Sequence, residues 1–482
     1  MPFTTPPSQA RSCGPGTLGR REALAALAGL IAAPPGTRSL FAEAGQKLNF
    51  VFVLGDDWGW GDLACYGHDQ LKTPNLDRLA SEGTLFTQFY VASPVCSPSR
   101  AALMTGRFPG ELRIHGYLAT PPEGKLELNE ARGMPNFLDP AVPTVTELLK
   151  RAGYATGLFG KWHLGKAPDA PPLEKYGVDA HRTIDSNEMS WDDTDPHFRT
   201  HSTELIVDET IRFIEQKRYR PFFVEAALLD PHGRLQITEE QAEPYKNLLG
   251  APRIYYSAIT RADGQIGRLM RRIDELGLKE RTVIIFSSDN GPDDFVARNS
   301  SEHAAGSSGP FRGRKTSLYE GGIRTPFIVR CPGRIPAGRV DNTTVIGGVD
   351  FLPTLCSMAG IRLPGGLRLD GEDMSAALLG APRQRLKPLL WDWRFRMLVG
   401  RVIDKSPRLA IREGQWKLLM NPDRSRVELY DVPRDPSELD NLADRYPKVM
   451  KELSERLLQW QAGLPKGSVE PLAGSNQYRW PK

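Results

Sequence analysis

Long apolar runs are nearly missing from this chain of 482 residues, and so is any excess of one charge. Mean hydropathy is -0.39, and the one apolar stretch, residues 23–33, is too short to cross a bilayer comfortably. A multi-span membrane protein is thereby excluded, and no stable membrane insertion is expected. Basic and acidic residues number 62 and 58, a net charge of +4. Nucleic-acid binding would need a strongly basic patch or stripe, so that class is excluded too. Cysteine is scarce: Cys13, Cys65, Cys96, Cys331 and Cys356 show no C-x-x-C spacing and are too few for a disulfide scaffold. What is present is ordinary globular usage, 40% hydrophobic and 25% charged, which rules out disorder and collagen-like repeats. The length exceeds one compact core and predicts a large domain with a smaller one.

Residues 1–44 read as an address. Arg20-Arg21 precede the apolar run, Pro34-Pro35 break it, and Ala42-Glu43-Ala44 has the small-residue spacing of a cleavage site. This pattern predicts a twin-arginine type bacterial signal peptide and an exported protein, periplasmic or secreted.

From residue 48 to 360, short β-branched apolar runs alternate with helical patterns. Strands are expected over 49–54, 155–159, 222–228, 283–286 and 327–329, and helices over 74–82, 145–152, 205–216, 265–276 and 350–359. Several strands are apolar on both faces, as strands covered by helices on each side should be. The alternation predicts an α/β domain over 45–370, built on a mostly parallel sheet sandwiched by helices. Beyond residue 370, meander spacing over 409–412, 415–420 and 427–430, followed by a helix over 446–463, predicts a small antiparallel α+β domain, 371–482.

In open α/β sheets ligands bind beyond the carboxyl ends of the strands, so the residues following each strand are informative. The first strand runs into Asp56-Asp57, the second into Lys161-Trp162-His163, the third into Asp230-Pro231-His232 and the fourth into Asp289-Asn290. Any one of these alone reads as a solvated turn. Four chemically complementary endings together point to a site. Asp56, Asp57, Asp289 and Asn290 offer only hard oxygen ligands. Two carboxylates 4 Å apart repel by roughly 4 kcal/mol at an effective dielectric of 20. A divalent cation relieves that repulsion, and oxygen donors suit Ca²⁺, with Mg²⁺ second, rather than zinc.

The segment from Pro94 to Arg107 contains Cys96-Ser97-Pro98-Ser99-Arg100 and then Leu103-Met104-Thr105-Gly106-Arg107. Ser97-Pro98 look like a helix start, which places Cys96 at the positive helix end and Arg100 on its face, four residues on. A buried structural thiol and a generic nucleophilic thiolate are the other readings of that cysteine.

These residues resemble the signature of the type I sulfatases, in the alkaline-phosphatase superfamily. Companion segments resemble the family as well: residues 55–62, 160–165, 288–291, 313–326 and 428–431. The similarity runs from about residue 48 to 442. It implies an alkaline-phosphatase-like fold and a sulfuric ester hydrolase of the arylsulfatase and N-acetylgalactosamine-6-sulfatase kind. It implies that Cys96 is oxidised to formylglycine by a formylglycine-generating or anaerobic sulfatase-maturating enzyme. The metal ligands it implies are Asp56, Asp57, Asp289, Asn290 and the residue derived from Cys96. Arg100 and Lys161 would hold the hydrated aldehyde, His163 would serve its hydroxyl, and Lys315 and His232 would contact sulfate and leaving oxygen. Asp230-Pro231-His232-Gly233 lacks the proline that often follows this histidine in the family. Lys161 and His163, two residues apart, are expected on one side of an extended backbone. Two other readings are carried forward: a phosphodiester or phosphonate monoester hydrolase using the same site, and a non-catalytic binder of sulfated glycans.

Overall fold

The computed structural model describes residues 47–119, 126–185, 191, 195–233, 235–293, 305–396 and 401–477. The expected signal peptide lies outside them. Nine strands form the main sheet: β1 (Asn49–Asp56), β2 (Thr84–Tyr90), β3 (Ala155–Lys161), β4 (Ala180–Ile184), β5 (Phe222–Pro231), β6 (Thr282–Ser288), β7 (Arg324–Arg330), β8 (Arg339–Asp341) and β9 (Ile346–Gly347). Their order is β4-β3-β5-β1-β6-β7-β2-β8, with β9 also on β2. Only β7 runs antiparallel to its neighbours β6 and β2. The sheet is therefore mixed and mostly parallel.

Strand β1 shows why this sheet is buried. All eight of its residues are buried, and successive side chains enter different cores. Phe50, Phe52 and Leu54 join one cluster, whereas Val51 and Val53 join the other, as period-two alternation requires. Helices Phe198–Lys217 and Ala251–Glu275 pack on the Val51 face with helix Pro74–Ser81. Helices Cys96–Thr105, Val145–Arg151 and Phe351–Met358 lie on the other face. Pro252 in the first turn of the 25-residue helix needs no partner for its missing N–H.

Four further strands, β10 (Leu389–Asp392), β11 (Leu409–Glu413), β12 (Trp416–Met420) and β13 (Glu428–Asp431), form a separate antiparallel meander. Helix Pro447–Ala462 contributes Leu453 and Leu457 to its packing. Leu409, Leu418 and Leu429 share one core cluster with Phe50 and Phe52, so the small sheet closes one face of the large one. The tryptophan-rich segment at 391–394 is structural at its start: Trp391 is buried and donates to Val91 O at 2.9 Å.

The topology gathers chemistry at one edge. Strands β3, β5, β1 and β6 are parallel neighbours, so Asp56, Lys161, His232 and Asp289 emerge side by side. Tyr90, at the end of β2, pairs with Arg324, at the start of β7. The approach to Cys96 and the loop carrying Lys315 consequently reach that same edge.

Candidate active site

Cys96 opens the helix Cys96–Thr105, whose ten residues are all buried. Val95 before it is extended, and Gly106 after it takes φ 67°, a left-handed cap whose N–H bonds Ala102 O. The side chains of this helix tie it down. Ser99 Oγ donates to Ser93 O at 2.7 Å, and Ser97 Oγ accepts from Leu118 N at 3.0 Å. Burial raises the Cys96 thiol pKa, Lys161 and Lys315 oppose that rise, and Asp289 and Asp56 add to it. The thiol thus sits within the field of both lysines and both carboxylates, and packed hydrocarbon is not its only surrounding.

The charged groups interlock. Lys161 Nζ donates to both oxygens of Asp56 at 2.7 Å and lies 3.9 Å from Asp289 Oδ2. Arg100 Nε donates to Asp289 Oδ2 at 2.9 Å, and its Nη1 donates to Lys161 O at 2.9 Å. Lys315 Nζ donates to Asp57 Oδ2 at 2.7 Å and approaches Asp293 at 3.5 Å. Asn290 Nδ2 donates to Asp57 Oδ1 at 2.6 Å. His232 Nε2 stands 3.9 Å from Asp57 Oδ2.

Four carboxylates, Asp56, Asp57, Asp289 and Asp293, therefore face three fixed cations, Lys161, Lys315 and Arg100. The shortfall falls on Asp57. Burial pushes its carboxyl up to about 8 despite Lys315, with Asp56, Asp293 and Asp289 adding to the rise. Asp56 goes the other way, because Lys161, His232, Arg100 and Lys315 together outweigh its burial and hold it well below the usual range. Ligand atoms of Asp56, Asp57 and His232 lie within 4.8 Å of one another. Asn290 Oδ1 is buried without a hydrogen-bond partner. A concentration of hard oxygen donors with unmet negative charge and an orphaned amide oxygen fits a divalent metal ion.

The two histidines differ in setting. His163 has φ 55°, so the extended backbone expected between it and Lys161 is corrected: the chain turns left-handed after β3. Its backbone N–H donates to Asp185 Oδ1 at 3.1 Å, and its Nε2 is 3.1 Å from Leu118 O. A carbonyl only accepts, so Nε2 carries the hydrogen and Nδ1 keeps the lone pair. Nδ1 is buried with no partner. Burial, followed by the Lys161 charge, lowers the His163 pKa to about 4. His232 is held well below its ordinary value, by burial and by Lys315 and Lys161, against the pull of Asp56. Lys315 stays a cation: Asp293 and Asp57 lift it well above the ordinary lysine range, although burial opposes them.

A family model described as Sulfatase matches residues 48–361. The chain belongs to the sulfatase family. A second model, described as N-sulphoglucosamine sulphohydrolase, C-terminal, matches residues 309–463 of this sulfatase. It is 34% identical over 479 residues to the N-acetylgalactosamine-6-sulfatase of Rattus norvegicus, covering 91% of this chain and 84% of that one. It is 32% identical to human Arylsulfatase A, covering 84% and 86%. Among solved structures, Ps i-CgsB in complex with k-i-k-neocarrahexaose superposes with a TM-score of 0.74 at 25% identity, over 89% of this chain and 97% of that one. Such relatives are sulfuric ester hydrolases, and this sulfatase is one, with the fold that the sequence led us to expect.

All ten residues singled out in the sequence lie at the one sheet edge or on the loops and helix that meet it. Asp293 and Asp185 escaped that reading. Asp293 follows Asn290 by three residues without any motif of its own. Asp185 directly follows β4, an edge strand with two exposed residues that lacks the continuous apolar run by which buried strands are recognised. The four described cysteines are all free.

Proposed function

We propose that this sulfatase cleaves a sulfate ester of a saccharide, using Cys96 oxidised to formylglycine beside a bound Ca²⁺. The observation that carries the reading is the place of Cys96, at the first position of a buried helix and in the field of Lys161, Lys315, Asp56 and Asp289. Asp56, Asp57, Asp289 and Asn290 would hold the ion, which would polarise the ester oxygens and offset charge on the transferred group. The hydrated aldehyde would supply one hydroxyl for attack on sulfur and a second whose deprotonation releases sulfate.

The residues of the chain set the rest. Arg100 and Lys161 orient the side chain at position 96, each fixed by a buried carboxylate. The bare Nδ1 of neutral His163 is the atom that takes the hydroxyl proton. Lys315, protonated, donates to the departing alcohol oxygen, and neutral His232 hydrogen-bonds alongside it. Buried donors aimed at developing charge are where such sites gain most.

In this reading the catalytic domain spans 45–370 and the smaller domain 371–482, residues 1–44 direct export, and a maturating enzyme oxidises Cys96 beforehand. The test is turnover by protein whose Cys96 conversion has been verified by peptide mass. Matched aryl sulfate and aryl phosphate esters, together with sulfated sugars, are the substrates. Sulfate release should dominate. A preference for the phosphate ester, or an unmodified and inactive Cys96 in exported protein, would remove the proposal.

A further inference from the structure

A cluster beside the site holds polar atoms that no described residue satisfies. Arg132 is stacked between two rings, its guanidinium 4.4 Å from the Tyr117 centroid and 4.7 Å from that of Phe395. Among the described residues no carboxylate pairs with it, and its Nη1 is buried without a partner. His115 lies parallel to Phe395 at 6.2 Å and sends Nε2 to Arg132 O at 3.1 Å, leaving its Nδ1 as a buried, unused acceptor. Trp393 meets Phe395 edge-on at 5.1 Å, and its Nε1 is also buried and unused. His115 and Trp393 are only 3% and 5% exposed, whereas Tyr117 is 40% exposed. Stranded polar atoms cost stability, and three gathered in one ring cluster call for a partner.

The cluster adjoins the reaction centre. Tyr117 is followed by Leu118, whose N–H goes to Ser97, next to Cys96, and whose carbonyl holds His163. The other half comes from 393–395, just after β10 of the small sheet. The exposed ring of Tyr117 suits the C–H face of a sugar, and an uncompensated guanidinium suits an anion.

We propose that Arg132 and Tyr117, held in place by the buried rings of Phe395 and Trp393, form a subsite for a saccharide unit that carries its own anionic group and is linked to the sulfated unit being cleaved. The inference rests on the saccharide sulfatase reading above and extends it to the neighbouring sugar.

The test compares Arg132→Gln and Trp393→Phe with the unaltered enzyme on two substrates: nitrophenyl sulfate and a sulfated disaccharide containing a uronic acid. Arg132→Gln should raise KM for the disaccharide about fivefold or more, while kcat and both constants for nitrophenyl sulfate stay within about twofold. Trp393→Phe keeps one aromatic ring and deletes the pyrrole ring with its stranded N–H. It should raise disaccharide KM about two- to fivefold, with kcat and both constants for nitrophenyl sulfate within about twofold, while the cavity left by the lost ring lowers Tm. Equal losses on both substrates, or no loss on the disaccharide, would overturn the subsite. If verified enzyme cleaves neither ester, the functional reading has failed, and calorimetric titration with the desulfated uronate disaccharide still decides the inference. Binding weakened about fivefold by Arg132→Gln upholds it, and equal or absent binding to both proteins overturns it.

Discussion

Lys161 Nζ lies 2.7 Å from each oxygen of Asp56, and neither side chain has any exposed surface. Removing one partner of such a pair leaves a bare buried charge, which costs about 3–5 kcal/mol. Lys161→Met should therefore lower the Tm of metal-free protein by many degrees. Added Ca²⁺ should recover part of the loss, because the cation supplies charge where the ammonium did. Thermal melts with and without Ca²⁺ would show this, and an identical deficit in both would argue against a metal at Asp56.

Chelation is the complementary experiment. With four carboxylates against three fixed cations, exhaustive dialysis against EDTA should depress both Tm and sulfate release. Ca²⁺ should restore more of each than Mg²⁺, since clustered carboxylates adapt more readily to its looser geometry. A metal bound only by the native state stabilises it as RT ln(1 + [L]/Kd), so Tm should climb with Ca²⁺ concentration.

Cys96→Ala should abolish turnover by at least about a thousandfold, the scale on which loss of a nucleophile is felt. Stability should change little, since Ala at the first helical position keeps the backbone and only a small buried sulfur is lost. Coupled assays of aryl sulfate release, with peptide mass across position 96 in the parent protein, check both halves of the statement.

The pH behaviour of His163 has a defined sign. Its folded pKa of about 4 is below the ordinary 6.5, so the neutral ring contributes stability above the ordinary value. That stability is lost as pH falls toward 4. In its proposed role as base, His163 is therefore unprotonated across the neutral range, and kcat should show no ascending limb from this residue between pH 5 and 8. His163→Gln should cut kcat by about a hundredfold or more, and an unchanged kcat would remove His163 from the proton transfer.

Much of this site was legible because the parallel strands are continuous apolar runs ending in polar residues. Asn49 through Leu54 and Val283 through Phe286 were readable as strands, and the ladder continues two residues further, to Asp56 and Ser288. Polarity marks the edge of the core, but backbone pairing ignores side-chain polarity, so the strand ends lie deeper in the site than the apolar pattern suggests. Strand β2, Thr84–Tyr90, was missed altogether: Thr and Gln interrupt its apolar residues, although six of its seven positions are buried. The left-handed turn at His163 carried no signal, because only glycine advertises positive φ in a sequence. The pairing of Lys315 with Asp57, 258 residues apart, depends on β7 reversing the sheet direction.

The small sheet also reaches the segment that carries Lys315. Lys417 on β12 donates to Glu320 at 2.9 Å and pairs with Glu438 at 2.8 Å, and Lys417, Glu320 and Glu438 are all fully buried. Glu320 follows Lys315 by five residues, and its backbone N–H bonds Glu438 Oε2 at 2.6 Å. The small sheet thus grips the loop that carries Lys315, the proton donor of the proposed mechanism. Burial raises Glu438 to about 7, with Lys417 opposing and Glu320 adding. A carboxyl raised on folding stabilises below its ordinary pKa, and that contribution is lost as pH rises through about 7. Lys417→Met leaves two carboxyls facing each other with their shared cation gone and only Arg324 paired with Glu320. Its deficit in Tm should be smallest near pH 5, where Glu438 is protonated, and should grow toward pH 8. Melts of both proteins across that range measure the difference directly. A deficit independent of pH would mean that the two glutamates do not repel, and that the grip on the Lys315 loop is one of packing alone.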